Sequence, residues 1–281
     1  MNKITGLLMA WGAERWIRPA IKQALEYCDE VMVVVANFSH QMKRFEDNTY
    51  EICKEYQDIK LLDYEVKQKY VNRAVAEIHN YMLEKSELFS AGNWIWILDV
   101  DEFYPDIGHK RIKSIIKGGK YDRIIIDSKF FMINMQHYLV ETGRQLIRVE
   151  DINDRFIPTN KWPRKPKSIY TVPREIGMFH YSVLVNTNIH RVKWEMEYSH
   201  TRQSNKVMWL DKIYLKYDLE NEDYWIKENL KLSDIKSPWC DSGFKPDKNG
   251  RLFRYDGKHP KFIEDAGLTK IRDFRKEWQG E

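Results

Sequence analysis

The strongest constraint on this chain is the run Trp94-Ile95-Trp96-Ile97-Leu98-Asp99-Val100-Asp101-Glu102-Phe103-Tyr104-Pro105-Asp106. Five large apolar residues lead directly into three carboxylates. The apolar half does not alternate with polar residues, so it reads as a strand covered on both faces. The acidic half must leave the core, because such carboxylates are not buried together without a cation or strong partners. A buried strand that delivers Asp-x-Asp at its carboxyl end matches the place where open α/β sheets hold their ligands. Oxygen ligands of this kind suit Mg²⁺ or Mn²⁺, which in turn hold phosphate oxygens.

The segments before this strand extend the pattern. Ile4–Met9 is a short apolar run ended by Gly12. Glu14–Cys28 carries Trp16, Ile17, Ala20, Ile21, Ala24 and Leu25 at helical spacing, with Pro19 early in it. Val31–Ala36 is a β-branched strand, closed by Asn37-Phe38-Ser39-His40. A helix over residues 44–56, a strand over 59–62 and a helix over 71–88 follow. This alternation predicts a mostly parallel mixed α/β sheet with helices on both faces and right-handed crossovers. No Gly-x-Gly-x-x-Gly follows the first strand and no Gly-x-x-x-x-Gly-Lys-Ser/Thr occurs, which disfavours a dinucleotide fingerprint and a P-loop.

Further on, a short basic helix over residues 110–116 ends at Gly118-Gly119. Residues 123–126 and 130–135 are β-rich, and 145–149 can pair with the second of these runs. Lys161-Trp162-Pro163-Arg164-Lys165-Pro166-Lys167 is a basic loop, either an exposed connection or an anion-binding element. Residues 177–185 form a last strand containing His180. Residues 192–220 read as helical. The rest is aromatic and turn-rich, and Trp225, Trp239, Phe244, Phe253, Tyr255 and Phe262 are expected to lie across the sheet domain. The expected organisation is a nucleotide-binding and catalytic domain over 1–200, with a C-terminal extension over 201–281 packed on it.

Composition narrows the class. The 281 residues suit one large domain or one with an appendage, and 43% hydrophobic residues supply a core. The 10 Trp and 16 Tyr are more than a core of this size requires, so some are expected to stack on sugars or bases. A net charge of +4 permits an anionic substrate without making a nucleic-acid footprint. Cys28, Cys53 and Cys240 are odd in number and widely spaced, which indicates neither a zinc ribbon nor a disulfide framework. With no signal-peptide pattern at the N-terminus, a cytoplasmic location is expected. No window is apolar for the ~18–20 residues that span a bilayer, so any membrane contact is expected to be peripheral.

On these residues the chain resembles family 2-type glycosyltransferases of the GT-A fold. LLMAWGAERWIRPAI with DEVMVVV is similar to the opening strand, helix and second strand of that class. NWIWILDVDEF is similar to its strand plus DxD segment, GMFHYSVL to a later strand, and YDGKHPKFI to a short segment near the end of related members. The likeness covers residues 4–104, with patches over 160–200 and 255–263.

The resemblance implies that Asp101 ligates Mn²⁺ or Mg²⁺, that Asp99 reaches the ribose or the same metal, and that His180 is the C-terminal metal ligand, with His200 and His259 as fallbacks. The alternative for His180 is a core histidine satisfied by backbone. Ala10, Trp11 and Glu14 would line the base pocket, with Asn37 at the end of the second strand. Arg73 would touch the diphosphate or pair with a carboxylate. This chain has Gly12-Ala13 where the family often has Asn-Glu, and Asn37 where it often has an acid, so the base is left open. Glu175, then Glu141 and Glu195, are the candidates to take the acceptor's proton.

The expected activity is metal-dependent, inverting transfer from a nucleoside-diphosphate sugar, a UDP-sugar first, to a hydroxyl acceptor on a glycan or surface polysaccharide. One alternative is a hydroxymethylated base in DNA, which must be flipped and stacked for chemistry. Another is a non-catalytic sugar- or nucleic-acid-binding module. Nucleotidyl transfer also uses strand-end carboxylates, but the missing phosphate loop counts against it.

Overall fold

The computed structural model describes residues 2–37, 46–132, 134–141, 145–159, 161–181, 184 and 252–270. The expected helix over 192–220, the boundary at 200/201, Trp225, Trp239, Phe244, Glu195, His200 and Cys240 lie outside the described residues. Cys28 and Cys53 are free thiols.

The first sheet is built around β1 (Ile4–Ala10), whose seven residues are all buried. Beside it run β2 (Glu30–Val35), β3 (Lys60–Leu62) and β4 (Trp94–Asp99). Further strands are β6 (Arg123–Ile126), β9 (Gln145–Arg148) and β10 (Ile169–Val172). The order across the sheet is β10-β6-β9-β4-β1-β2-β3, parallel throughout except for β9, which runs against both β4 and β6. This is the expected mostly parallel mixed sheet.

Alternate residues of β1 face two separate cores. Ile4, Leu8 and Ala10 pack with Trp16, Ile17, Ala20, Ile21 and Ala24 of α1 (Glu14–Tyr27) and with Ile112, Ile115 and Ile116 of α4 (Asp106–Gly118). Leu7 and Met9 pack with Ala74, Ile78 and Met82 of α3 (Val71–Lys85). Helices therefore cover both faces, which explains why β1 has no charged residue on either side, its one hydroxyl, Thr5 Oγ1, donating to Glu30 Oε2 at 3.2 Å. The expected helix over 44–56 contributes only α2 (Thr49–Lys54) among the described residues. Gly119 ends α4 in the left-handed region at φ 64°.

After β4 the chain turns at Val100-Asp101 and enters β5 (Glu102–Phe103), which leaves the first sheet for a second one. That sheet also contains β7 (Ser128–Phe131), β8 (His137–Glu141), β11 (Met178–His180) and β12 (Phe253–Arg254), in the order β12-β8-β7-β11-β5. The partners of β7 are β8, antiparallel, and β11, parallel, not residues 145–149. Those residues form β9, whose Leu146 and Ile147 fill the gap between β4 and β6. The β7–β8 hairpin closes a shorter loop, residues 132–136, and the apolar register of β9 finds more burial in the larger sheet.

The described part of the C-terminal extension packs as expected. Phe253 stacks on Tyr138 at 5.3 Å, Tyr255 meets Phe131 edge-on, and α5 (Lys261–Asp265) buries Phe262 and Ile263 against the core that α1 also enters.

Candidate active site

The parallel order β3-β2-β1-β4 reverses direction between β1 and β4, since α1 leads away to one side and the chain returns to the other. Such a switch point opens a crevice at the strands' carboxyl ends. Asp99 ends β4 opposite Met9, and Ala10 ends β1 opposite Val35 of β2. Ala10, Trp11, Asn37, Asp99 and Asp101 thus gather along one edge of the sheet.

Asp101 meets residues of the second sheet. His180 pairs with Glu102 across β11 and β5, and its Nε2 lies 3.7 Å from Asp101 Oδ1, too far for a hydrogen bond. On its other side, Nδ1–H donates to Glu141 Oε2 at 2.7 Å. Ser128 Oγ donates to the same oxygen at 3.1 Å, from the position opposite Glu141 in the ladder. Phe130 covers the imidazole edge-on at 4.9 Å. Glu102 is fully buried, with Oε2 3.5 Å from the Asp99 amide.

Burial acts to lower the His180 pKa. The charge and hydrogen bond of Glu141, followed by the charges of Asp101 and Glu102, outweigh it and carry the imidazole up to about 9. Three carboxylates around one ring make a place that favours positive charge.

That donor set fits a divalent cation. Metal-bound histidines commonly donate their second ring N–H to a carboxylate, and His180 donates Nδ1–H to Glu141 in the same way, with Nε2 turned toward Asp101. Among the described residues no group of three or more His, Cys, Asp or Glu side chains is arranged to hold a metal unaided. Mg²⁺ and Mn²⁺ need no such cage, because one or two protein ligands are completed by water and substrate phosphates.

The other expected site residues are placed as follows. Trp11 is buried at 7% exposure. Glu14 accepts from Asn48 Nδ2 at 2.7 Å and from its amide at 3.3 Å, so it ties the loop after β1 to the start of α2. Thr49 completes that tie, accepting from the Ala13 amide at 2.9 Å and donating to Asp47 at 2.7 Å. Arg73 is exposed, sits 5.6 Å over the Tyr70 ring, and lines a cavity of about 240 Å³ with Gln68, Glu77, Asn80 and Phe156, none of them in the Asp101 cluster.

Of the proposed bases, Glu141 is in the cluster. Glu175 is exposed on the turn before β11, at the opposite end of that strand from His180. The fallback His259 is fully engaged elsewhere: Tyr181 Oη donates to Nδ1 at 2.7 Å and Nε2–H donates to the Met135 carbonyl at 2.8 Å. Trp162 is buried edge-on against Phe156 at 5.1 Å, which removes it as a surface stacking platform.

Sequence reasoning missed Asp47 and Thr49, whose spacing from the loop they brace carries no pattern. It also missed Gln23, the polar residue within the apolar stripe of α1.

No family model and no curated protein sequence matches the chain. Solved structures similar to it include residues 1–349 of S. aureus TarS in complex with UDP, at 15% identity and a TM-score of 0.42, covering 80% of this chain and 78% of that one. A second is glucosyl-3-phosphoglycerate synthase from Mycobacterium tuberculosis with Mn²⁺, UDP and phosphoglyceric acid, at 17% and 0.30, covering 47% and 43%. A third is 4-diphosphocytidyl-2C-methyl-D-erythritol synthase, at 12% and 0.33, covering 75% and 85%.

Proposed function

We propose that this protein is a divalent-metal-dependent glycosyltransferase that moves a sugar from a nucleoside-diphosphate sugar, a UDP-sugar first, to a hydroxyl acceptor. The observation that carries the reading is the Asp101–His180–Glu141 arrangement at the switch point of the first sheet. Asp101 and His180 Nε2 would hold Mn²⁺ or Mg²⁺, and Asp99 would reach the ribose or the same ion. When bound, the cation would offset the negative charge that grows on the departing nucleoside diphosphate. Glu141 fixes the imidazole's orientation and keeps the proton on Nδ1, so that Nε2 is the basic nitrogen. Trp11, Glu14 and Asn37 belong to the loops that flank the base pocket in this reading.

We take the acceptor to be a glycan and the transfer to be inverting. Trp162, buried edge-on against Phe156, offers no exposed ring on which a flipped DNA base could stack, which favours the glycan. A non-catalytic binding module differs in what the site's removal does.

The test is a thermal-shift and calorimetric screen with UDP, GDP, CDP and their sugars, each with and without Mn²⁺ or Mg²⁺. One diphosphate should stabilise the protein only with metal, and Asp101→Asn should abolish that shift and all turnover. Metal-independent binding that survives Asp101→Asn would support the binding module. The absence of any nucleotide shift would sink the donor-site reading.

A further inference from the structure

One face of α1 carries Trp16, Ala20, Gln23 and Tyr27, at alternating spacings of four and three, and all four are buried. This stripe lies against β5, the two residues that follow the Asp99-Val100-Asp101 turn. Trp16 packs on Phe103 at 6.1 Å and stacks on Tyr181 at 5.5 Å. At Gln23 the contact becomes polar. Its Nε2 donates to the Glu102 carbonyl at 2.9 Å, and its Oε1 accepts from the Tyr104 amide at 2.7 Å. One helical turn later Tyr27 Oη donates to the Tyr104 carbonyl at 3.1 Å.

In an extended strand, the carbonyl of one residue and the amide of the residue two further on point to the same edge. A parallel neighbour would bond both of them across the residue between. Gln23 makes that pair of bonds across Phe103 with a single side-chain amide. The opposite edge of β5 is paired with β11, where His180 faces Glu102. β5 is therefore held on both edges, by the strand that carries His180 and by a side chain reaching in from α1. The amide's two ends match an acceptor and a donor in one orientation only, so Gln23 also fixes the strand's register.

We propose that Gln23, seconded by Tyr27, is a positioning residue for the metal turn: it takes the place of a missing strand and holds the backbone that sets Asp101 opposite His180. Its consequence for metal binding rests on the donor-site reading above; the anchoring itself does not. Gln23 touches no reacting group. The same helix starts directly after the Trp11-Gly12-Ala13 loop, so the loop and the metal turn are joined through one rigid element.

Two variants test this. Gln23→Met keeps the volume and removes both hydrogen bonds, and Tyr27→Phe removes the third together with the longer bond from Tyr27 Oη to Asp106 Oδ1 at 3.3 Å. Native-state hydrogen exchange reads the anchoring directly, because the Tyr104 amide is the donor to Gln23. In Gln23→Met that amide should exchange at least tenfold faster relative to the amides of β1. The Mn²⁺ concentration giving half-maximal UDP-dependent stabilisation should rise about tenfold, with metal-free binding unchanged.

A role in general packing alone would speed exchange at Tyr104 and β1 together and leave the Mn²⁺ midpoint where it was; either result overturns the proposal. Should Gln23→Met fail to fold, Tyr27→Phe carries both readouts, with a smaller rise in the Mn²⁺ midpoint expected and an unchanged midpoint counting against the proposal. If the unaltered protein shows no metal-dependent nucleotide shift, the donor reading falls, and the exchange measurement still decides whether Gln23 anchors the turn.

Discussion

His259 shows what a fully partnered imidazole does to stability. It accepts from Tyr181 at Nδ1, which requires the neutral ring, and donates to the Met135 carbonyl from Nε2. Burial, opposed by the Met135 hydrogen bond and aided by the charge of Lys129, pushes its pKa down to about 4. His109, stacked on Tyr27 at 3.6 Å, is also pushed down to about 4, first by burial and then by Lys113. The unfolded chain takes up these protons near pH 6.5, whereas the folded protein resists until about pH 4. Their contribution is therefore complete above pH 6.5 and is lost as pH falls from there through 4. A melting series from pH 7 to 4 should show a falling Tm, and the slope should be shallower in His259→Phe. An equal slope in the variant would exclude His259 as a source of the acid sensitivity. His180 differs because its partners are acids, which is why the same residue type serves as a core group at one position and a candidate ligand at another.

At the scale of elements, β11 delivers His180 only because its approach is tight. A Cβ on Gly177 would lie 2.0 Å from the Asp127 carbonyl oxygen, and one on Gly108 would lie 2.1 Å from the Ile176 carbonyl oxygen. Both obstacles are backbone, so neither yields to a rotamer change. Gly108 brings α4 onto the turn before β11, and Lys129 ties the same turn from below by donating to the Arg174 carbonyl at 2.6 Å. Gly108→Ala and Gly177→Ala should each destabilise by roughly 1–3 kcal/mol or more, as overpacking does, measured as a lowered urea midpoint with unchanged m. Gly177→Ala should also weaken metal-dependent nucleotide binding, because the shift is passed along three residues to His180. A variant as stable as the parent would show that the turn can move away.

For the whole molecule, the site is assembled from two sheets. The first supplies Asp99 and the turn, and the second supplies His180, Glu141 and Ser128. A ligand that engages both halves should stabilise the entire fold by mass action. At one hundred times its Kd, a nucleotide with Mn²⁺ would add about 2.7 kcal/mol. Glu141→Gln keeps the size and loses the charge that steadies the imidazole. It should raise the Mn²⁺ requirement while leaving binding of the nucleotide alone in place, checked by calorimetry with and without metal. Equal Mn²⁺ affinity would remove Glu141 from the site.

The sequence by itself determined the parts whose signal is local. The mostly apolar runs of β1, β2 and β4 announce a sheet covered on both faces, the helical stripes of α1 and α3 announce what covers it, and the acids after Leu98 must surface where β4 ends. Only the tertiary structure decided the rest. Short strands such as β5 and β12 hold two residues each and carry no periodicity. β9 runs antiparallel inside a parallel sheet because of the burial it finds there, which no local pattern encodes. The neighbours of His180 come from positions 101, 102 and 141, and which of many glutamates meets it depends on the register of β8 against β7. Gln23 looks like a flaw in an apolar stripe until the strand edge it completes, about eighty residues later in the chain, lies beside it. Hydrogen-bond partners so far apart are chosen by packing, and packing is a property of the folded chain.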